Sequence, residues 1–189
     1  MPRFTIRTES GIVVDADNRP RKNGIPSKIW YHGGSTGIDD MDIIGLSVPG
    51  TLLFRDVVLR VAASSCRLVR SMAGKQEPSP EAKEFDDKVV SAVGEAFNNV
   101  AIHAYRGRPA GSVKLEFEIH QDAITIRILD HGTSFELSEA QTPDLATLPE
   151  SRMGLYIVRS FMDEVSYQRG NPPSVGNVLT LTKRYAAGR

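Results

Sequence analysis

Two consecutive segments of the chain alternate between apolar and polar residues. The apolar positions are Val113, Leu115, Phe117, Ile119, Ile124, Ile126 and Ile128. Because successive side chains of a strand point to opposite faces, this alternation predicts an antiparallel hairpin. One face is expected to be buried, and the other, with Lys114, Glu116 and Glu118, to be wet. Residues 43–50, 165–168 and 177–185 predict three further strands.

Three other segments, residues 51–72, 81–105 and 151–165, have apolar residues at helical spacing. The second of these helices is expected to begin at Ser79 or Pro80, which suit a cap and a first-turn position. At ~100° per residue, Asn98 projects away from the apolar stripe of this helix and toward solvent. The expected apolar faces comprise Phe54, Val57, Val58, Val61, Ala62, Leu68 and Val69; then Phe85, Val89, Val93, Ala96, Val100 and Ala104; and finally Leu155, Val158, Phe161, Met162 and Val165.

The chain divides near residue 42. Residues 1–42 are rich in Gly, Asp, Asn, Pro and Arg and form a loosely ordered arm or a small hairpin of residues 4–8 and 11–15. Trp30 and Tyr31 could dock this arm on the rest of the protein. Residues 43–185 are expected to form one domain.

The charge, the cysteine count and the lengths of the apolar runs narrow the possible functions and cellular locations. Lys and Arg number 23, as do Asp and Glu, so the formal net charge is +0 and no basic field indicates direct binding of nucleic acid or of a membrane surface. The single cysteine, Cys66, excludes an internal disulfide and suits a reducing compartment. No apolar run reaches the roughly 18 residues of a membrane span, and the N-terminus has no signal-type core. We therefore expect a cytoplasmic protein.

The first candidate site is a stripe of polar side chains in the second helix. Glu95, Asn99 and His103 follow one another at intervals of four residues, close to one helical turn. A carboxylate, a neutral oxygen ligand and an imidazole in one stripe could handle a magnesium-bound nucleotide. The same spacing also fits an ordinary solvated helix margin, and on spacing alone both interpretations stay open.

The second candidate site follows the hairpin. Asp130 ends a strand and could accept hydrogen bonds from an exocyclic amine, and Gly132 lacks the Cβ that would block a flat ring. A plain Asp-x-Gly turn explains the same residues. Further along, residues 136–150 form a polar connection long enough to be a lid, and Gly154 falls in the first turn of the next helix, where unpaired N–H groups attract phosphate.

The order of these motifs is more specific than any one of them. An E-x-x-x-N-x-x-x-H helix, a D-x-G hairpin end, a polar lid and a G-L-Y-I-V helix before two strands resemble the histidine kinase-like (Bergerat-fold) ATPase domain. Within this group, the segments EAFNNVAIHAY, DHGTSFE, MGLYIVRSFMDEV and LTLTK resemble the anti-sigma-factor serine kinases of bacterial partner switching. The resemblance covers about residues 43–185. It implies an α+β fold, a two-layer sandwich whose mixed, mostly antiparallel sheet is covered on one face by helices.

The resemblance also implies roles for the helix residues. Glu95 would be the general base that accepts the hydroxyl proton of a protein serine. Asn99 would ligate Mg²⁺ through its side-chain oxygen. His103 would line the pocket beside the phosphates of ATP, and Gly154 with its helix N-terminus would hold those phosphates.

The remaining implied roles concern adenine and the lid. Asp130 would bind the adenine amino group, Gly132 would let the base approach, and Thr180 or Thr182 would reach adenine from the last strand. Members of the group usually have a glycine pair just before M-G-L-Y, where this chain has Ser151 and Arg152. Arg152 could contact the γ-phosphate or could block closure of the lid.

Three functions stay open. The first is an ATP- and Mg²⁺-dependent serine kinase that sequesters a sigma factor and phosphorylates a STAS-type antagonist, with a PP2C-type phosphatase in the pathway and a homodimer as a further option. The second is a non-catalytic binding module of the same fold. The third is an ATPase subunit with another output, such as a histidine-kinase-like relay, which the lack of a phosphoacceptor-helix module disfavours.

Overall fold

The main feature of the fold is a seven-stranded sheet in which every described strand pair is antiparallel. The computed structural model describes residues 12–14, 28–32, 42–74, 79–134, 150–171 and 175–185. The strands are β1 (Ile12–Val14), β2 (Lys28–His32), β3 (Asp42–Pro49), β4 (Ser112–Ile119), β5 (Ala123–Asp130), β6 (Glu164–Gln168) and β7 (Asn177–Arg184). Their spatial order is β1-β2-β3-β4-β5-β7-β6. The predicted two-layer α+β fold is confirmed, but the described sheet is antiparallel throughout rather than mixed.

The predicted hairpin is present as β4 and β5, with Phe117 opposite Ile126 and Leu115 opposite Ile128. The apolar side chains of both strands are buried in the core between the sheet and the helices. The prediction of a uniformly wet outer face is wrong at one position. Glu118 is only 5% exposed and pairs with Arg127 of β5, because a buried carboxylate requires a charged or hydrogen-bonding partner.

In the described part of the chain, three helices cover the inner face of the sheet: α1 (Arg55–Met72), α2 (Pro80–Asn99) and α3 (Glu150–Phe161). A 3₁₀ turn, Leu52–Phe54, leads into α1. The predicted start of α2 is confirmed, since the Ser79 hydroxyl accepts a 3.1 Å hydrogen bond from the backbone N–H of Ala82. This cap satisfies one of the unpaired donors at the helix start.

The helical periodicity fails in specific places. In α1, Val57 and Leu68 are 38% and 44% exposed, because they lie beside rather than on the face that meets α2 and the sheet. The α-helix predicted to reach residue 105 ends at Asn99 and continues as one π-helical segment, Val100–Ala104. The third helix ends at Phe161, so Val165 lies on β6. The whole predicted apolar stripe of the second helix is buried.

The two strands before residue 42 extend the same sheet. β1 pairs with β2, and β2 pairs with β3 along Lys28–His32. The predicted partner of residues 12–14 was the segment 4–8, which lies outside the described residues, and the partner observed is β2 instead. Within the described part of the chain, none of the helices has the length and apolarity required to cross a lipid bilayer.

Candidate functional site

The predicted polar stripe faces α3. A Cβ atom built on Gly154 of α3 would lie 2.8 Å from Glu95 Oε2 and 3.7 Å from Asn99 Oδ1 of α2. Because both oxygens lie near this Cβ position, they border the same small space. Both side chains are half-buried. The missing side chain at Gly154 is what allows the two helices to come this close with the polar groups between them.

Glu95 Oε2 and Asn99 Oδ1 have hydrogen-bonding capacity that the described residues do not use. Among the described residues, no hydrogen bond reaches Glu95 Oε2 or Asn99 Oδ1, and the only bond to the Glu95 carboxylate is a long one, 3.5 Å from Asn98 Nδ2 to Oε1. A carboxylate oxygen and an amide oxygen are the hard ligands that Mg²⁺ prefers. No group of three or more His, Cys, Asp or Glu in the described part of the chain could hold a metal by itself.

The second half of the site lies at the end of β5. Asp130 is 4% exposed, and its Oδ1 accepts a 2.6 Å bond from the backbone N–H of Gly132 and a 3.2 Å bond from Asn177 Nδ2. No described donor contacts Oδ2. A nearly buried carboxylate with one saturated and one free oxygen is suited to accept a single hydrogen bond from a ligand.

The loop after Asp130 is hydrogen-bonded to the π-helical segment that follows α2. The Ala104 carbonyl, in the π-helical segment, accepts 2.8 Å bonds from Thr133 N and from an Arg108 guanidinium nitrogen. A Cβ on Gly132 would lie 2.4 Å from Ala104 Cβ and 2.7 Å from its carbonyl oxygen. Gly132 is therefore required by the contact between the loop and the helix, independently of any ligand.

Tyr105 links the same loop to β4 through its hydroxyl group. Its ring is 7% exposed, its hydroxyl accepts a 3.2 Å bond from the backbone N–H of His131, and it donates a 3.3 Å bond to the Ser112 carbonyl. Burial raises the pKa of the Tyr105 phenol above its ordinary value of 10.0, which keeps it a neutral donor. The end of β5 is thus held in place by side chains and backbone from two other elements.

Comparison with known proteins connects this geometry to a family. A family model described as the histidine kinase-like ATPase domain matches residues 58–183, which include both halves of the site. The chain belongs to the histidine kinase-like ATPase family.

Several curated relatives also support the closer resemblance. The chain is 37% identical over 112 residues to the anti-sigma F factor of Clostridium beijerinckii, an alignment that covers 56% of this chain and 75% of the relative. It is 36% identical over 100 residues to the anti-sigma F factor of Bacillus cytotoxicus, covering 51% and 67%. It is 30% identical over 82 residues to the serine-protein kinase RsbW of Listeria innocua serovar 6a, covering 39% and 52%. The resemblance to the anti-sigma-factor kinases is confirmed.

The site of this ATPase domain fits its nucleotide. Asp130 Oδ2, which no described donor contacts, suits an adenine amino group, and the oxygens of Glu95 and Asn99 without a described partner suit a phosphate-bound Mg²⁺ and a hydroxyl proton. The roles themselves stay predictions.

Two of the sequence-predicted residues lie elsewhere than expected. α3 begins at Glu150, so Gly154 lies in its second turn and not in the first, because the helix extends upstream of M-G-L-Y. Its backbone N–H is therefore not among the unpaired groups of the helix start. The ring of His103 is exposed on the π-helical segment, which interrupts the four-residue spacing from Asn99. A phosphate contact by either residue stays a prediction.

Thr180 and Thr182, which were expected to reach adenine from the last strand, lie on the wrong face of the sheet for this contact. In β7, Leu179 and Leu181 face the core, so Thr180 and Thr182 lie on the opposite face, away from Asp130. Thr182 instead contacts Thr125 of β5 at 3.3 Å.

The residue of β7 that reaches the site is Asn177, which sequence analysis missed. It lies opposite Asp130 in the strand pairing and donates 3.2 Å bonds to Asp130 Oδ1 and to the Gly132 carbonyl. The register between β5 and β7 is the signal that identifies it.

Two further expectations concern Asn98 and the lid. Asn98 was expected to face solvent, but it is half-buried and accepts a 3.0 Å bond from Arg55 Nε of α1, because α1 crosses this side of α2. The expected lid over residues 136–150 falls outside the described residues, except that Glu150 starts α3. The backbone of Ser151 and Arg152 is helical, and their side chains lie outside the described part of the structure.

Proposed function

We propose that this protein is an ATP-dependent anti-sigma factor and serine kinase that sequesters a sigma factor and phosphorylates a STAS-type antagonist. The observation that carries the proposal is the convergence of Glu95 Oε2 and Asn99 Oδ1 beside Gly154, in a chain related to anti-sigma F factors and to a serine-protein kinase. A base and a metal ligand side by side are what transfer of a phosphoryl group to a hydroxyl requires.

In this proposal Glu95 Oε2 accepts the proton of the serine hydroxyl as the serine oxygen bonds to the γ-phosphorus and ADP departs. ATP supplies the phosphoryl group. Asn99 Oδ1 would hold Mg²⁺ next to Glu95, and the metal, when bound, would supply neutralisation of the phosphate charge. Positioning and charge neutralisation supply most of the catalysis in such reactions, so this small set of residues is chemically sufficient.

Asp130 supplies nucleotide specificity at the other end. Its Oδ2 would accept a hydrogen bond from the adenine amino group, while Gly132 N and Asn177 hold Oδ1. A guanine base, with a carbonyl at the equivalent position, would place an acceptor against this carboxylate and be rejected.

The regulatory output follows from the charge that is transferred. Phosphorylation adds roughly −1.5 to −2 units of charge to the antagonist, which would release it from the kinase and leave the sigma factor bound. A PP2C-type phosphatase would reverse the modification. Such a cycle belongs in the cytoplasm, where sigma factors act.

The proposal is tested with three proteins and two measurements. Wild type should bind Mg²⁺-ATP by calorimetry and transfer ³²P from ATP to a STAS-domain protein of the same genome. Glu95→Gln should abolish transfer and leave ATP affinity within about twofold, because it removes the base without changing the shape of the side chain. Asp130→Asn should weaken ATP binding at least about tenfold, since an amide presents donors as well as an acceptor. Transfer by Glu95→Gln at the wild-type rate would refute the assignment of the base.

A non-catalytic binding module of the same fold is the second candidate. The observation that favours it is the helical backbone at Ser151 and Arg152, where the resemblance leads one to expect a flexible glycine pair. The double variant Ser151→Gly/Arg152→Gly separates the two functions. If the wild type binds its sigma factor but neither it nor the variant transfers phosphate, the binding module is the correct function.

A further inference from the structure

A chain of three side chains connects α1 to the proposed catalytic base. Arg55, the first residue of α1, donates a 3.0 Å hydrogen bond from Nε to Asn98 Oδ1. Asn98 Nδ2 lies 3.5 Å from Glu95 Oε1. Neither Arg55 nor Asn98 was a candidate from the sequence.

The arginine determines which way the amide of Asn98 points. A guanidinium has only donors, so the atom of Asn98 that faces it must be the oxygen. The NH₂ group is then turned toward Glu95, to which it can only donate. If Arg55 were absent, the amide could rotate by half a turn and bring its oxygen against the carboxylate, which would be repulsive.

This arrangement gives the two oxygens of Glu95 different surroundings. Oε1 faces the amide of Asn98, whereas Oε2 faces the space beside Gly154 and Asn99. The 3.5 Å contact is long for a hydrogen bond, and contacts of this kind often shorten when a substrate is bound. The consequence is that the oxygen available for proton transfer is the one directed toward Asn99.

The residue before Glu95 makes room for the arginine. A Cβ on Gly94 would lie 3.1 Å from an Arg55 guanidinium nitrogen and 3.2 Å from Leu59 Cδ2. The lack of a side chain at Gly94 lets the guanidinium approach α2 closely, one helical turn before Asn98. Two consecutive residues of α2 therefore serve the same arrangement: Gly94 leaves space for the Arg55 guanidinium, and Glu95 is the proposed base.

We propose that Arg55 is a positioning residue, which acts through Asn98 to hold the Glu95 carboxylate with Oε2 directed at the reacting hydroxyl. The inference rests on the proposed kinase function. It assigns a part of α1 to the reaction, although Arg55 itself contacts neither the nucleotide site at Asp130 nor Asn99 in the described hydrogen bonds.

The test compares Arg55→Met, Asn98→Leu, the double variant and Arg55→Lys. Arg55→Met and Asn98→Leu should each lower kcat about tenfold and leave the Kd for Mg²⁺-ATP within about twofold, because only the orientation of the base is lost. The double variant should be no slower than the slower single variant, as expected for residues that act in series. Arg55→Lys, which retains a donor, should recover part of the rate.

Arg60→Met is the matched control. Arg60 lies on the exposed side of α1 and pairs with Asp56 at 2.7 Å, so its loss should change neither kcat nor Kd. A structural readout that does not need turnover is the side-chain ¹H–¹⁵N signal of Asn98, identified by its absence in Asn98→Leu. It should shift in Arg55→Met and stay unchanged in Arg60→Met.

Other outcomes overturn the inference. A multiplicative loss of rate in the double variant would mean that Arg55 does not act through Asn98. An increase in KM for the antagonist at unchanged kcat would mean that Arg55 is a docking residue. If the wild type transfers no phosphate while the Asn98 signal still responds to Arg55→Met, the proposed function fails and the positioning role fails with it, although the contact exists. If transfer is normal in Arg55→Met, only the positioning role fails.

Discussion

Gly154→Ala is expected to separate the stability of this protein from its activity. The added Cβ would lie 2.8 Å from Glu95 Oε2, so this oxygen must move by roughly 0.5 Å to reach an ordinary contact distance. The oxygen is the end of a flexible side chain, and a change of rotamer costs about 0.5–1.5 kcal/mol. Replacing glycine by alanine inside a helix contributes about 0.5–1 kcal/mol in the other direction.

The two contributions nearly cancel in the unfolding free energy. We expect a change of less than about 1 kcal/mol, which corresponds to a melting temperature within about 2–4 °C of the wild type for a chain of this size. The displaced oxygen is the proposed base, and a displacement of this size should slow phosphoryl transfer about tenfold or more. Calorimetric melting and a ³²P transfer assay on the same preparation measure both quantities.

Two variants serve as controls. Ser160→Ala, at an exposed position of the same helix, should raise stability slightly and leave the transfer rate unchanged. Unlike Gly154→Ala, Gly132→Ala should lower the unfolding free energy. Its Cβ would lie 2.4 Å from Ala104 Cβ and 2.7 Å from a backbone oxygen that cannot rotate aside. A loss of about 1–3 kcal/mol or more is expected there. A Gly154→Ala protein with full transfer activity, or with a melting temperature more than about 5 °C lower, would refute the reasoning.

Three further variants test other contacts. Asn177→Asp places a second carboxylate 3.2 Å from Asp130 Oδ1, so its melting temperature at neutral pH should fall below that of Asn177→Ala and recover as the pH is lowered; a wild-type value at pH 7 would contradict this. Burial raises the pKa of Asp86 above its ordinary value of 3.8, and the charge of Arg70 offsets this only in part. Its contribution to stability is therefore present at low pH and is lost as the pH rises through the raised pKa, so the melting temperature of Asp86→Asn relative to wild type should increase with pH over the acid range; a flat difference would exclude this. Ser79→Ala should lower the unfolding free energy by about 1 kcal/mol in urea titrations, because Ala82 N loses its partner, and no change would mean that the cap is dispensable.

The parts of the fold that the sequence predicted are those with a local period. The alternation around Phe117 and Ile126 identified the hairpin, because a half-buried strand repeats every two residues. The stripe of α2 was predicted for the same reason, with a period of one helical turn. The π-helical turn at Val100–Ala104 is an exception without a local signal, and its Ala104 carbonyl accepts a hydrogen bond from Thr133 in the loop after Asp130.

The sequence identified candidate residues that share one element and missed contacts that form between two. Glu95 and Asn99 share one helix, so their spacing placed them in one stripe, while the roles assigned to them come from the family resemblance and stay predictions. Asn177 is 47 residues from Asp130, and only the pairing of β5 with β7 brings them together, which the pattern of either strand alone does not determine. Arg55 reaches Asn98 across the contact of two helices, for which the chain offers no periodic signal.

The two ends of the site are held by different kinds of contact, and this difference has a functional meaning. Asp130 is fixed by bonds of 2.6 and 3.2 Å to a backbone N–H and a buried amide, whereas the Glu95 carboxylate has, among the described residues, one 3.5 Å hydrogen-bonding contact and borders a glycine. A nucleotide has the same shape at every turnover, so rigid contacts favour its recognition. In the proposed kinase reaction, the base would have to meet a hydroxyl on a separate protein, so Asn98 would orient the Glu95 carboxylate through a long contact that still lets Oε2 adjust. Variants at the Asp130 end should therefore change nucleotide affinity, and variants at the Glu95 end should change the rate of transfer at constant affinity.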